Sequence, residues 1–111
     1  MLKQQYNDAL YTAASSGHEA VVRLLLCNGA DVNAQGSKYG NALQAAASKG
    51  NEAVVRLLVD NEADVNAEGG CYGHALLAAV ARPGNEAVVR LLINSGANVK
   101  VLYQAAPKKV R

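Results

Sequence analysis

Metal or nucleophilic chemistry in this chain would have to come from two cysteines and two histidines. Cys71 and His74 form a C-x-x-H arrangement. A structural zinc needs four ligands, and the other two candidates, His18 and Cys27, stand far upstream in a separate segment. No metal is expected, and Cys71 reads as a turn residue with His74 as the cap of the helix that follows. A Cys27–Cys71 disulfide is disfavoured, because Cys27 falls near the end of a helix and Cys71 in a distant turn. Two cysteines cannot make a disulfide framework, so a reducing compartment is the default. No Ser/His/Asp or Cys/His order carries supporting glycines, and no G-x-x-x-x-G-K-[ST] loop occurs. The acidic candidates Asp31 and Asp64 are copies of one another, whereas catalysis needs groups that converge on one site. The chain therefore reads as a non-enzyme without a cofactor.

Arg23, Arg56 and Arg90 form a row that could suggest a phosphate-binding stripe. Glu19, Glu52 and Glu86 each precede one of them by four residues, the favourable order for an ion pair on a helix, so the row reads as neutralised pairs on a solvated face. Charged residues are 18% of the chain and the net charge is +2, which excludes both a disordered polyelectrolyte and a strongly basic nucleic-acid domain. Residues 1–99 carry seven Lys/Arg against nine Asp/Glu, so the positive balance lies in Lys100, Lys108, Lys109 and Arg111. Pro107–Arg111 faintly resembles a nuclear-import signal, but a solvated tail is the favoured reading. Met1–Leu10 contains no apolar signal region, and no window of the chain approaches 18 apolar residues. A soluble cytoplasmic chain is expected, with the nucleus as the alternative.

The elements that position these groups follow from an internal repeat. Residues 6–38 and 39–71 align without a gap at a period of 33, with 21 identities. A third copy, 72–100, holds register through Arg82 and then runs one residue late, with Pro83 as the insertion. Residues 101–111 read as a degenerate C-terminal cap, and the whole of 1–111 as a single domain. There are 21 Ala, 13 Val and 13 Leu but no Phe or Trp, so the core must be built from small side chains packed closely.

Within residues 39–71, Asn41 is the expected cap of a first helix over Ala42–Lys49, and Gly50 the left-handed residue that ends it. Asn51 is the expected cap of a second helix, Glu52–Asn61, and Ala63–Tyr72 an extended turn. Helices this short are marginal alone, so stacking on neighbours must stabilise them.

The period of 33, GHEAVVRLLL at Gly17–Leu26 and GADVNA at Gly29–Ala34, with their later copies, resemble the ankyrin-repeat family over nearly residues 6–100. The resemblance implies an all-α solenoid of stacked helix-turn-helix units with projecting turns or hairpins. The family's Thr-Pro-Leu-His is replaced by Asp8-Ala-Leu-Tyr11, Asn41-Ala-Leu-Gln44 and His74-Ala-Leu-Leu77, so its Thr/His hydrogen-bond network is absent. The Tyr-Gly-Asn-Ala-Leu-Gln variant resembles repeats of filamentous-fungal arrays.

The resemblance also implies a noncatalytic module that binds a partner protein through its concave face and turn tips. No small-molecule substrate, nucleic acid or membrane is implied, and the chain reads as a monomer. The family's variable positions fall on Ser37, Lys38, Gly40, Gly70, Cys71 and Gly73 in the turns, and on Ser15, Ser16, Ser48, Lys49, Ala81 and Arg82 at the ends of the first helices. Near them the sizeable or charged groups are Lys38, Tyr39, Lys49, Tyr72, His74 and Arg82, the candidate partner-binding set. The alternative is a structural fragment or designed scaffold with no partner, which the small side chains at most variable positions would suit.

Three local expectations complete the reading. Tyr6, Tyr39 and Tyr72 form a ladder of turn aromatics that shields the turns and could double as a contact platform. Glu62 occupies a left-handed position held by Gly29 and Gly96 in the other copies. The segment Val101–Ala106 docks on the second helix of the third copy with Leu102 inward.

Overall fold

The computed structural model describes residues 2–36 and 40–104, as seven helices with no strand among those residues. They are α1 (Leu2–Ser16), α2 (Glu19–Cys27), α3 (Ala42–Lys49), α4 (Glu52–Asp60), α5 (Ala75–Val80), α6 (Glu86–Asn94) and α7 (Lys100–Gln104). Helices α1, α3, α5 and α7 stack in one row, and α2, α4 and α6 in a second. The layers build an elongated body of 50 × 25 × 21 Å.

Leu10, Leu43 and Leu76, one per copy, are 1%, 0% and 1% exposed and form the spine of the first row. Around them lie buried Ala13, Ala14, Ala45, Ala46, Ala47, Ala78 and Ala79. Alanine permits close helix approach, which is how a chain without Phe or Trp fills its core. Val22, Val54, Val55, Leu58, Val88 and Leu92 close the core from the second row.

The first helix of the second copy spans the expected Ala42–Lys49 and ends at Gly50, with φ 73°. Asn41 caps it by accepting from Gln44 N at 2.8 Å, while Gln44 Oε1 accepts from Asn41 N at 2.8 Å. Asn51 does not cap α4. Its Nδ2 instead donates to Ala14 O and Ser15 O, 3.0 and 3.3 Å away, at the C-terminal end of α1. Asn85 likewise reaches back one layer, donating to Ala47 O of α3 at 3.1 Å, and it also donates to Ala79 O at the end of its own layer's α5 at 3.0 Å. The last carbonyls of a helix lack intrahelical partners, so each asparagine satisfies the layer before it.

A second series of cross-layer bonds runs through the turns. Asn33 Oδ1 accepts from Asp64 N, and Asn66 Oδ1 from Asn98 N, both at 2.7 Å. Their amides donate forward to Glu62 O and Gly96 O. Asp31 and Asp64 each accept from the backbone N–H two residues on, at 2.9 Å, which gives them the structural work that their repetition implied.

Three expectations need correction. Tyr6 was expected in a turn, but helix α1 starts at Leu2, because Asn7 stands where Gly40 and Gly73 break the chain in later copies. Tyr6 therefore lies within a helix and no turn ladder includes it, while Asn7 Oδ1 accepts from Asp31 N at 2.7 Å, the role Asn33 and Asn66 play further on. Next, α7 packs on α5 rather than on α6, with Val101 buried and Leu102 only partly so. Last, ion pairs join Arg23 to Glu19 at 2.9 Å and Arg56 to Glu52 at 3.0 Å, but among the described residues Glu86 and Arg90 form none. Nothing in the structure explains that third difference.

Pro83 acts as the sequence implied. Helix α5 stops at Val80, and Gly84, with φ 75°, takes the role of Gly50 one residue late. Asn85 is then back in register to reach Ala47. Glu62 is left-handed at φ 70°, the one non-glycine among the described residues with positive φ.

Two outcomes follow. Glu62→Gly should stabilise the protein by about 1 kcal/mol, since a side chain is strained in that conformation, and raise the thermal midpoint by roughly 4–8 °C. Asn85→Ala should cost about 1–3 kcal/mol in chemical denaturation, because it removes two buried hydrogen bonds, one of them the link from the third copy back to α3, and leaves each carbonyl only a turn N–H.

Candidate functional site

The exposed turn between the second and third copies is fixed at its base. Gly69 N donates to Gly73 O at 2.9 Å, closing a five-residue turn in which Gly69, Gly70 and Gly73 have φ of 150°, 69° and 84°. Gln44 holds this turn to α3. Its side chain is 1% exposed, and its Nε2 lies 3.2, 3.1 and 3.2 Å from Ala67 O, Gly69 O and Gly73 O. One buried amide thus ties the start of α3 to both sides of the following turn. The Thr/His network of the motif is absent as expected, and in this copy the Asn41/Gln44 network takes its place.

The turn presents Cys71 and Tyr72, with Tyr72 38% exposed, and His74 follows half-buried at the entry to α5. His74 occupies the cap position of α5 but makes no side-chain cap bond. Leu77 stands where Gln44 stands in the second copy, so the reciprocal bond has no partner there. Lys49 and Arg82 lie at the far ends of α3 and α5, both exposed. Arg82 reaches back over Gly50, the neighbour of Lys49, since a β-carbon on Gly50 would come within 2.8 Å of Arg82 Nε. These two cations are brought to one edge.

The candidate set therefore forms two patches. Tyr72 and His74 sit at the turn, and Lys49 with Arg82 at the opposite ends of the first-row helices, separated by the roughly 9 Å rise of six-residue α5. Lys38 and Tyr39 lie outside the described residues, as do Ser37 and the basic segment 107–111. Of the mapped small positions, Gly40 is buried, Gly70, Cys71, Ser16 and Ala81 are exposed, and the Ser48 hydroxyl is spent on Ala45 O at 2.9 Å.

Sequence reasoning missed Gln44, Asn33 and Asn66. The recurrence of Asn33 and Asn66 at the period of 33 was a readable signal, but Gln44 has no copy, with Tyr11 and Leu77 in its place. Both cysteines are exposed and free, and no group of three or more His, Cys, Asp or Glu able to hold a metal ion occurs among the described residues. No helix among the described residues is long and apolar enough to cross a membrane.

Stacked helix pairs with asparagine links between layers and a glycine-closed turn define a repeat solenoid. A family model for ankyrin repeats, in three copies, matches residues 10–102, and the chain belongs to that family. No curated protein matches it in sequence.

Gln44→Leu copies the residue of the third repeat into the second and removes four hydrogen bonds at constant bulk. A loss of about 1–3 kcal/mol is expected, from buried carbonyls left without a donor. Amide exchange at Asn41 should speed up, whereas exchange in α6 should follow the global change only.

Proposed function

We propose that the chain is a noncatalytic module that binds a partner protein through its concave face and turn tips, in the cytoplasm. Ankyrin repeats are generally protein-interaction modules, and that supports the general reading. The observation that carries the finer one is the turn held by Gln44, which presents exposed Tyr72 beside His74 on a base fixed before any partner arrives. A preordered contact spends less of its interaction energy on ordering. Tyrosine brings a large contact area with few rotatable bonds, and arginine is the other residue enriched where binding energy concentrates.

The paired edge of Lys49 and Arg82 supplies the second patch, and a partner reaching both must span the length of the first-row helices. An acidic surface complements that edge. With two patches and mostly small residues between them, affinity is modest. The outer pairs Glu19/Arg23 and Glu52/Arg56 are 46–60% exposed, and each contributes little to stability.

Two composite variants test this reading by quantitative affinity capture from an extract of the native source. Changing Lys49, Tyr72, His74 and Arg82 to Ala should reduce capture of the specific partner at least about tenfold, or 1.4 kcal/mol. Changing Glu19, Arg23, Glu52 and Arg56 to Ala should leave it nearly unchanged. Equal losses would move the site off the concave face, and no specific capture by the wild type would favour the partnerless scaffold.

A further inference from the structure

Both ends of the solenoid expose surface of the kind that its interior layers bury. At the head, Val21 and Leu24 of α2 are 45% and 62% exposed, whereas their equivalents Val54 and Leu57 in α4 are 1% and 8% exposed where α4 packs on α2. At the tail, Val80 and Ile93 are 45% and 40% exposed, whereas Ala47, one repeat before Val80, is fully covered. Val80, Val89 and Ile93 line an open groove of about 470 Å³ between α5 and α6, edged by Arg82 and Arg90.

We infer that this groove takes the head of a second copy of the chain, so that copies associate head to tail. The argument is internal equivalence. Twice within the structure the flank of a second-row helix is covered by the next one, α4 on α2 and α6 on α4. The covering helices both begin Glu-Ala-Val-Val-Arg-Leu-Leu, at Glu52 and at Glu86. Helix α2 begins with the same seven residues at Glu19, and its outward Val21 and Leu24 are exposed. The surface that fits the groove is therefore already present on the chain. His18 stands where Asn51 and Asn85 reach back to the preceding layer, and its ring N–H is a donor for the carbonyls ending α5.

Helix α7 is the competitor. It lies on α5 and is held there by Val101 and Leu102, so an incoming α1 meets it before seating fully. A five-residue helix is too short to persist by itself and yields at modest cost, which makes the association weak rather than forbidden. Head and tail are different surfaces, so the contact is heterologous and open-ended. The dissociation constant is on the order of 0.1–1 mM, in the range of small, partly covered interfaces. The monomer expected from the sequence is the dilute form.

Sedimentation equilibrium on the wild type and two variants tests this. Leu24→Lys spoils the head and keeps the tail, while Val80→Lys spoils the tail and keeps the head. The wild-type average mass should climb with concentration from about 10 µM to about 2 mM and pass the dimer without a plateau. Each variant alone should stay monomeric. An equimolar mixture should form dimers and nothing larger, because it offers one good head and one good tail, and a misfolded variant could not restore association in this way. A wild type that stays monomeric throughout would assign the groove to some other occupant and overturn the inference. A plateau at the dimer, or a mixture that stays monomeric, would overturn it as well.

Discussion

The structure depends on one constraint: the last carbonyls of a helix lack the donors that the next turn of helix would give, and in this chain the neighbouring layer supplies donors to them. Asn51 does so for α1 and Asn85 for α3, while Asn33 and Asn66 perform the corresponding exchange in the turns. No layer completes its own hydrogen bonding, so no layer is a finished unit. The alanine-rich first row follows from the same demand. An asparagine side chain can span the gap only if successive helices approach closely, and Ala46, Ala47, Ala78 and Ala79 permit that approach.

The ends of the stack show how the constraint is met where the pattern changes. At the head, Asn7 comes from an extra stretch of helix yet bonds to Asp31 N as a turn asparagine of an earlier layer would. At the tail, the position of Asn33 and Asn66 is held by Lys100, which has no acceptor oxygen, and α7 begins there. The turn side is thus closed at both ends by helical segments, while the second-row side keeps Leu24 and Ile93 exposed.

Much of this was legible in the sequence because repetition turns weak signals into strong ones. The limits of α3, the left-handed Gly50 and Glu62 and the effect of Pro83 each rest on a local backbone preference, and each was readable. What stayed hidden were decisions taken between layers. Asn51 has the residue type and position of a helix cap, and only the nearby end of α1 diverts its side chain. The helical setting of Tyr6 was not legible, because Tyr39 and Tyr72 precede a glycine whereas Tyr6 precedes Asn7. For the candidate site, residue types could be chosen from variable positions, but their division into two patches depended on the length of α5. Gln44 could not be found by recurrence, since it serves a single turn.

The cross-layer bonds have one more property, their span along the chain. From the Asn33–Glu62 contact to the Asn85–Ala47 contact they join residues 29 to 38 positions apart. Every layer therefore closes a loop of similar, moderate size, and the entropy cost of adding a layer does not grow with the length of the stack. Assembly can begin at any adjacent pair and spread outward. The pair formed by the second and third repeats has the advantage, because it contains the Asn41/Gln44 box, the bonds of Gln44 to the turn and the reach of Asn85. Under a stretching force the molecule would lengthen in steps of one layer, each step releasing about the same length of chain.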